Sequence, residues 1–327
     1  MKQFSSLQLQ LLHQLADGQC HSGNSLGEQL GVSRTAVWKH VHQLTELGLV
    51  IKRLPQQGYQ LATPMQVLDE ELIRHYLSNK SFTKPLDFHL FAAIDSTNRF
   101  LKELPSGTCL AICCAETQTN GRGRFGRHWI SPFGENIYFS SRWELHCCLS
   151  HLSGLSLVVG LAILASLRNS NVDQNLLLKW PNDVLWGDKK LCGILIEVIA
   201  ETNGCAQVII GIGINVNTAT QHEILIGRPW CSLYEITGHH FDRNIILANL
   251  IEQLDWHLEQ FLQKGFASFS SRWQEVDYLF GKQIAVAQPN GLIAGRACGV
   301  NELGQLTLRD QEGTLHYLSS GDASLHQ

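Results

Sequence analysis

The ten cysteines include no Cys-x-x-Cys pair, and none of the fifteen histidines falls at a zinc-ligand spacing. Zinc ribbons, zinc fingers and thioredoxin-type redox sites are thereby excluded. Cys113-Cys114 and Cys147-Cys148 sit in apolar surroundings, where reduced thiols packed as small hydrophobes are expected and disulfides are not; this is the pattern of a cytoplasmic protein. No secretory signal is expected, because Met1–Gln10 has no continuous apolar stretch. The most apolar region, Leu152–Leu167, is interrupted by Ser153, Gly154, Ser156 and Gly160. It falls short of the roughly 20 apolar residues of a membrane span, so a buried helix is expected there and no membrane association. Charge is sparse, at 17% of residues with a net of −4, and no global basic field gathers nucleic acid. A Walker A ending and the third glycine of a dinucleotide-binding turn are both missing. No Ser/His/Asp or Cys/His arrangement is visible, so no covalent acyl-enzyme is expected.

What is present divides into three regimes. At 327 residues and 44% hydrophobic content the chain can build two or three cores. Residues 1–63 carry Lys2, Arg34, Lys39, Lys52 and Arg53 against Asp17, Glu28 and Glu46, a local +2 that leaves −6 for the rest. Leu7, Leu11, Leu12 and Leu15 share one face of a first helix that Asp17-Gly18 ends. Ser25 is expected to cap a short second helix reaching Leu30, and Ser33 a third from Arg34 to about Leu47. In that third helix Val37, Val41 and Leu44 point inward, while Arg34, Thr35, Trp38, Lys39 and His42 line the outer side. Extended runs at Leu49–Leu54 and Gly58–Leu61 complete a winged helix-turn-helix, with Thr63-Pro64 as linker. Residues 64–276 alternate strands (Cys109–Ala115, Asn136–Ser141, Leu176–Lys179, Cys192–Ile199, Gln207–Ile214) with helices (Asn98–Leu104, His151–Arg168, Arg243–Gly265). Residues 277–327 show short β runs at Gln283–Ala287, Ile293–Val300, Gln305–Arg309 and Thr314–Leu318, the pattern of a small SH3-like barrel.

Four segments carry chemistry. Gly121-Arg122-Gly123-Arg124-Phe125-Gly126-Arg127 alternates glycine with arginine, joining close backbone approach to fixed positive charge suited to phosphate or carboxylate. Such a loop should be mobile when empty and ordered by a polyanion; alone, it is equally a flexible surface tract. Lys179 closes the apolar strand Leu176–Leu178 ahead of Trp180-Pro181-Asn182-Asp183, so its ammonium emerges at a strand end, where α/β clefts lie. Ser96-Thr97-Asn98 opens a helix, a cap that also offers hydroxyls and an amide at its positive end. Gly211-Ile212-Gly213-Ile214-Asn215 ends a strand, a weak signal by itself.

Together with Gln118 and Lys190–Leu195, and in this order, these segments resemble the bifunctional biotin–protein ligase and biotin operon repressor family over the whole chain. The resemblance implies an α+β multidomain protein. Its parts would be a winged helix-turn-helix (1–63), a central α/β biotin–lipoate-ligase domain of class II synthetase type with a mixed sheet (64–276), and an SH3-like barrel (277–327). It implies two half-reactions: biotin and MgATP yield biotinyl-5′-AMP, and biotin then passes to a lysine of the biotin carboxyl carrier protein of acetyl-CoA carboxylase. It further implies a homodimer when adenylate is bound, repressing at biotin operator DNA. By position, Ser96, Thr97, Asn98, Gln118 and the backbone of Arg122, Gly123 and Arg124 would contact biotin, and Lys179 would bridge its carboxylate to the phosphate. Arg122 and Arg124 would assist catalysis, with Arg127 also at the phosphates, and Asn182, Asn215 and Trp230 near the nucleotide. Ser33, Arg34, Thr35, Trp38, Lys39, Lys52 and Arg53 would meet DNA. No protein ligand for Mg2+ is identifiable. Departures from the family pattern are Asn120, Phe125 within the arginine run, and Ser320-Gly321-Asp322. Three alternatives remain: a lipoate–protein ligase on the same central fold, a transcription factor that only senses the adenylate, and a ligase whose first domain does not bind DNA.

Overall fold

The computed structural model describes residues 5–80, 82–105, 107–147, 149–172, 175–202, 205–219, 229–288 and 291–325. Helix α1 (Ser6–Leu15) starts at Ser5, whose hydroxyl accepts from the Gln8 N–H while the Gln8 side chain accepts from the Ser5 N–H. Strand β1 (Cys20–His21) leads to α2 (Gly23–Leu30). The α2 cap is Ser22, not Ser25: the Ser22 hydroxyl accepts from the Ser25 N–H, so the helix starts three residues earlier than expected. Ser33 does cap α3 (Arg34–Glu46). Strands β2 (Ile51–Leu54) and β3 (Gly58–Leu61) form the wing, and β1 joins them in the order β1-β3-β2. Val37, Val41 and Leu44 pack on Leu11, Leu12, Leu15 and Leu26, as the periodicity requires. Phe133, from the next domain, also packs against this core.

The central domain continues with α4 (Glu70–Ser78), β4 (Leu86–Phe91), α5 (Thr97–Glu103), β5 (Leu110–Ala115), β6 (Ile137–Leu145) and α6 (Leu155–Asn169). Strands β7 (Leu176–Lys179), β8 (Asp183–Trp186), β9 (Lys189–Thr202) and β10 (Cys205–Ile214) follow, then α7 (Leu233–Thr237), α8 (Arg243–Lys264) and α9 (Ser270–Val276). The seven strands form one sheet in the order β4-β5-β6-β10-β9-β8-β7, parallel only between β4 and β5. Alternation sorts its faces. Ile112, Phe139, Ile194, Ile210 and Ile212 join the core beneath α6 and α8, whereas Ile209 and Cys113 turn to the opposite face, where α5 lies. Helix α6 is buried nearly all round, as its composition predicts, and no helix among the described residues is long and apolar enough to cross a membrane. Cys113, Cys114, Cys192 and Cys231 are buried free thiols, and burial pushes their ionisation well above the usual range.

The last domain is a five-stranded antiparallel sheet, β14-β13-β12-β11-β15, built from β11 (Gln283–Gln288), β12 (Gly291–Val300), β13 (Leu306–Arg309), β14 (Leu315–Leu318) and β15 (Asp322–Leu325). Strand β15, unmarked by any hydrophobic run, pairs with β11 by ladder bonds. Docking to the central domain is close: a Cβ on Gly304 would lie 2.6 Å from the Gly154 Cα, and the Trp180 indole donates to Gly304 O at 3.2 Å.

One buried ion pair ties these pieces. Glu116 and Arg243 are each about 1% exposed and meet at 2.8 Å. The second Glu116 oxygen accepts from the Leu68 N–H at 2.6 Å. Arg243 also donates to Asn136 O at 3.0 Å and Gln66 O at 2.6 Å. The linker from the wing, the end of β5, the start of β6 and α8 are thereby joined at one point. Removing one partner of such a pair leaves a buried charge, at a cost of about 3–5 kcal/mol. Glu116→Ala should lower the denaturant midpoint by that measure, and Glu116→Leu combined with Arg243→Met should recover most of it; equal midpoints for wild type and Glu116→Ala would contradict this role.

Candidate active site

A cleft of about 790 Å3 opens on the α5 side of the sheet, lined by the start of α5, residues 122–129, β9, β10, Asn182, Asp183 and Asp322. Its size is ordinary for a small-molecule site. The arginine run folds as a small hairpin: the Gly123 N–H donates to Arg127 O at 2.7 Å and the Trp129 N–H to Gly121 O at 2.9 Å. At its tip Phe125 takes a left-handed conformation (φ 58°) and is 69% exposed. The guanidiniums of Arg124 and Arg127 lie 4.9 and 5.9 Å from its ring centre. The C-terminal sheet holds this hairpin, since Arg127 pairs with Asp322 and Arg124 donates to Gly321 O at 3.1 Å and Asn182 Oδ1 at 3.3 Å. The Ser320-Gly321-Asp322 departure is therefore a contact of the loop itself.

At the other end the floor is polar and buried. Ser96, Thr97 and Asn98 are each under 10% exposed, at the start of α5, and Ser96 caps that helix. The Thr97 N–H donates to Gln118 Oε1 at 2.9 Å. Ser140 Oγ lies 2.7 Å from Thr97 Oγ1 and 2.6 Å from Asn98 Oδ1, and the Asn98 amide donates to Glu197 at 2.8 Å.

The glycines of β9 and β10 exist to make room. A Cβ on Gly211 would overlap the Asn98 amide oxygen, and one on Gly213 would lie 2.6 Å from the Trp129 indole. Trp129 thus lies flat on bare backbone, and Lys190 Nζ stands 5.5 Å from its ring centre. Lys190 also pairs with Asp183 at 2.7 Å.

Of the residues singled out from sequence, Ser96, Thr97, Asn98, Gln118, Arg122, Gly123, Arg124, Arg127 and Asn182 line this cleft together. Lys179, Asn215 and Trp230 are not among its lining residues. Asn215 instead donates to Cys231 O at 3.0 Å, a structural bond, while Trp230 adjoins the lining residue Pro229 and bridges to Lys190. Lys179 stands on the edge strand β7, in register with Asp183, which is in register with Gly193 of β9; it is one strand too far out.

Lys190 occupies the place expected of Lys179. Strict alternation from Gly193 would aim Leu191 at the cleft and Lys190 at the core. A register shift between Val184 and Leu185 reverses that, so Leu191 enters the core and Lys190 the cleft. Trp129, Ser140 and Glu197 were also missed: Trp129 reads as an apolar residue after a loop, Ser140 is one of several polar residues in β6, and Glu197 is a lone acid in an apolar stretch of β9. In the first domain, Ser33, Arg34, Thr35, Trp38, Lys39, Lys52 and Arg53 are all exposed on α3 and the wing.

An N-terminal helix-turn-helix joined to a cleft of this kind defines a body shaped to bind a small molecule, with a nucleic-acid-binding type of head. The model of the Biotin/lipoate A/B protein ligase family matches residues 90–215, and that of the HTH domain residues 7–60. The chain is 38% identical over 325 residues to the bifunctional ligase/repressor BirA of Salmonella typhimurium and to that of Escherichia coli, with 98% of both chains covered in each case. The solved structure of biotin protein ligase from Aquifex aeolicus in complex with biotin and ATP superposes with a TM-score of 0.62 at 32% identity, covering 75% of this chain and 100% of that one. The chain belongs to the biotin protein ligase family, in the branch of bifunctional ligase/repressors.

Seating of Trp129 on Gly213 anchors the hairpin. In Gly213→Ala the indole must lift, and trypsin should nick between Arg122 and Arg127 several-fold faster than in the wild type. Unchanged nicking would mean that the hairpin is held without that seat.

Proposed function

We propose that this cleft binds biotin with its ureido head at Ser96, Thr97 and Gln118 and its carboxylate toward Lys190, and that ATP enters over Trp129 and the arginine hairpin. The observation that carries the reading is the division of the cleft: a hydrogen-bonding floor of Ser96, Thr97, Asn98 and Gln118 at one end, and Lys190, Arg122, Arg124 and Arg127 around the other. The carboxylate attacks the α-phosphorus, pyrophosphate leaves, and biotinyl-5′-AMP forms. An incoming lysine amine then attacks the acyl carbon and AMP departs. Both steps need placement and charge neutralisation more than a nucleophile from the protein. Lys190, not Lys179, is assigned to the carboxylate–phosphate junction, because Lys190 lines the cleft beside the arginine hairpin and Lys179 is not among its lining residues.

Among the described residues no cluster of three or more His, Cys, Asp or Glu could hold a metal. Mg2+ arriving with ATP would be carried mainly by phosphate oxygens and water, its usual habit. Residues 1–63, 64–276 and 277–327 serve as DNA-binding, catalytic and C-terminal units. The acceptor is the biotin carboxyl carrier protein of acetyl-CoA carboxylase in the cytoplasm. With adenylate bound, the protein pairs as a homodimer and represses at biotin operator DNA, contacting it through α3 and the wing.

Two measurements test this. Biotin-dependent exchange of pyrophosphate into ATP should fall on the order of 10²–10³-fold in Lys190→Ala and only a few-fold in Lys179→Ala; the reverse would restore Lys179, and exchange supported by lipoate instead of biotin would favour the rival ligase. Arg34→Ala and Lys39→Ala should each weaken operator binding and lower the salt slope by about one, whereas no operator binding with biotin and ATP at low salt would leave the protein a ligase alone.

A further inference from the structure

Glu197 is out of place in a cleft built for anions. It lines the floor on β9, with no arginine or lysine bonded to it among the described residues. Its recorded partner is the Asn98 amide at 2.8 Å. We propose that Glu197 is a positioning residue that sets the direction of the hydrogen-bond chain reading the ligand's head group; this rests on biotin lying in the cleft as described above.

The argument follows from what each group can do. A carboxylate only accepts, so the Asn98 NH2 must face Glu197 and its Oδ1 must face Ser140. An amide oxygen also only accepts, so the single Ser140 proton goes to Asn98 across 2.6 Å. Ser140 then has nothing left to donate across the 2.7 Å to Thr97, so the Thr97 hydroxyl gives its proton to Ser140 in preference to the more distant Gln118 Oε1 at 3.2 Å. Gln118 Oε1 is served by the Thr97 backbone N–H at 2.9 Å, which orients the Gln118 NH2 away from α5. Ser140 and Asn98 are 0% and 7% exposed, so water does not relieve this order. The floor consequently offers a ligand lone pairs on Thr97 and N–H donors on Gln118, the complement of a cyclic urea with N–H groups and a C=O. Without Glu197 only the Leu195 carbonyl, at 3.5 Å, still favours that orientation of the Asn98 amide; the amide can then turn over, the Ser140 and Thr97 protons reverse, and the floor loses its polarity.

The probe is 2-iminobiotin, which carries C=NH where biotin has the ureido C=O. Wild-type protein should prefer biotin in kcat/KM for pyrophosphate exchange. In Glu197→Leu the KM for biotin should rise about tenfold, KM for ATP should stay within about twofold, and the biotin/iminobiotin preference should shrink about tenfold. Glu197→Gln keeps the volume and can either accept or donate, so it should shrink the preference about threefold; it also serves if the leucine variant does not fold. A raised KM with the preference intact would make Glu197 a merely structural group and overturn the proposal, as would no change at all. A wild-type protein inactive with biotin would overturn the active-site reading beneath it, a distinguishable failure.

Discussion

Everything near the cleft depends on the Glu116–Arg243 pair. Glu116 ends β5, and the chain leaves it for Gln118, the arginine hairpin and Trp129, returning at Gly134, whose N–H donates to Glu116 O at 3.0 Å. Both ends of the ligand loop are thus pinned at one residue. Arg243 brings in α8 and the linker carbonyl of Gln66. A charge pair this deep is costly to desolvate and gains little net stability over apolar side chains. Its value is geometric, because its directional bonds fix the linker, the end of β5, the start of β6 and α8 relative to one another.

That fixed point also relates the two ends of the loop. Phe133 packs against the helix-turn-helix core four residues after Trp129 lies on Gly213. The loop therefore runs directly from the cleft to the head. At its far side Asp322 and Gly321 hold the arginines, so all three domains contribute to the same excursion. Phe125 lies at its tip, trading a basic side chain for an exposed ring that gathers two guanidiniums.

How much of this could be read from the chain varied with the kind of signal. Ser33 capping α3, the buried stripe Val37–Val41–Leu44 and the all-round apolar α6 follow from local spacing, and all appear. Ser96, Thr97, Asn98, Gln118 and the arginine run were legible as a site because motif order places them together. Lys179 lies outside the lining of the cleft for a definite reason. A lysine ending an apolar strand looks like a cleft residue, but the sheet order makes β7 an edge.

Periodicity, caps and the order of the motifs determined the three-part architecture, the family and most of the cleft's polar floor, because those depend on neighbours within a turn or a strand. Tertiary structure alone decided which lysine lines the cleft, since a one-residue register shift in β9 reverses the two faces and leaves no mark in composition. It alone decided that Glu197 stands behind Asn98 and that Asp322 reaches Arg127, contacts spanning 99 and 195 residues. Long-range pairing of that kind follows from sheet order and domain docking, which no local pattern encodes.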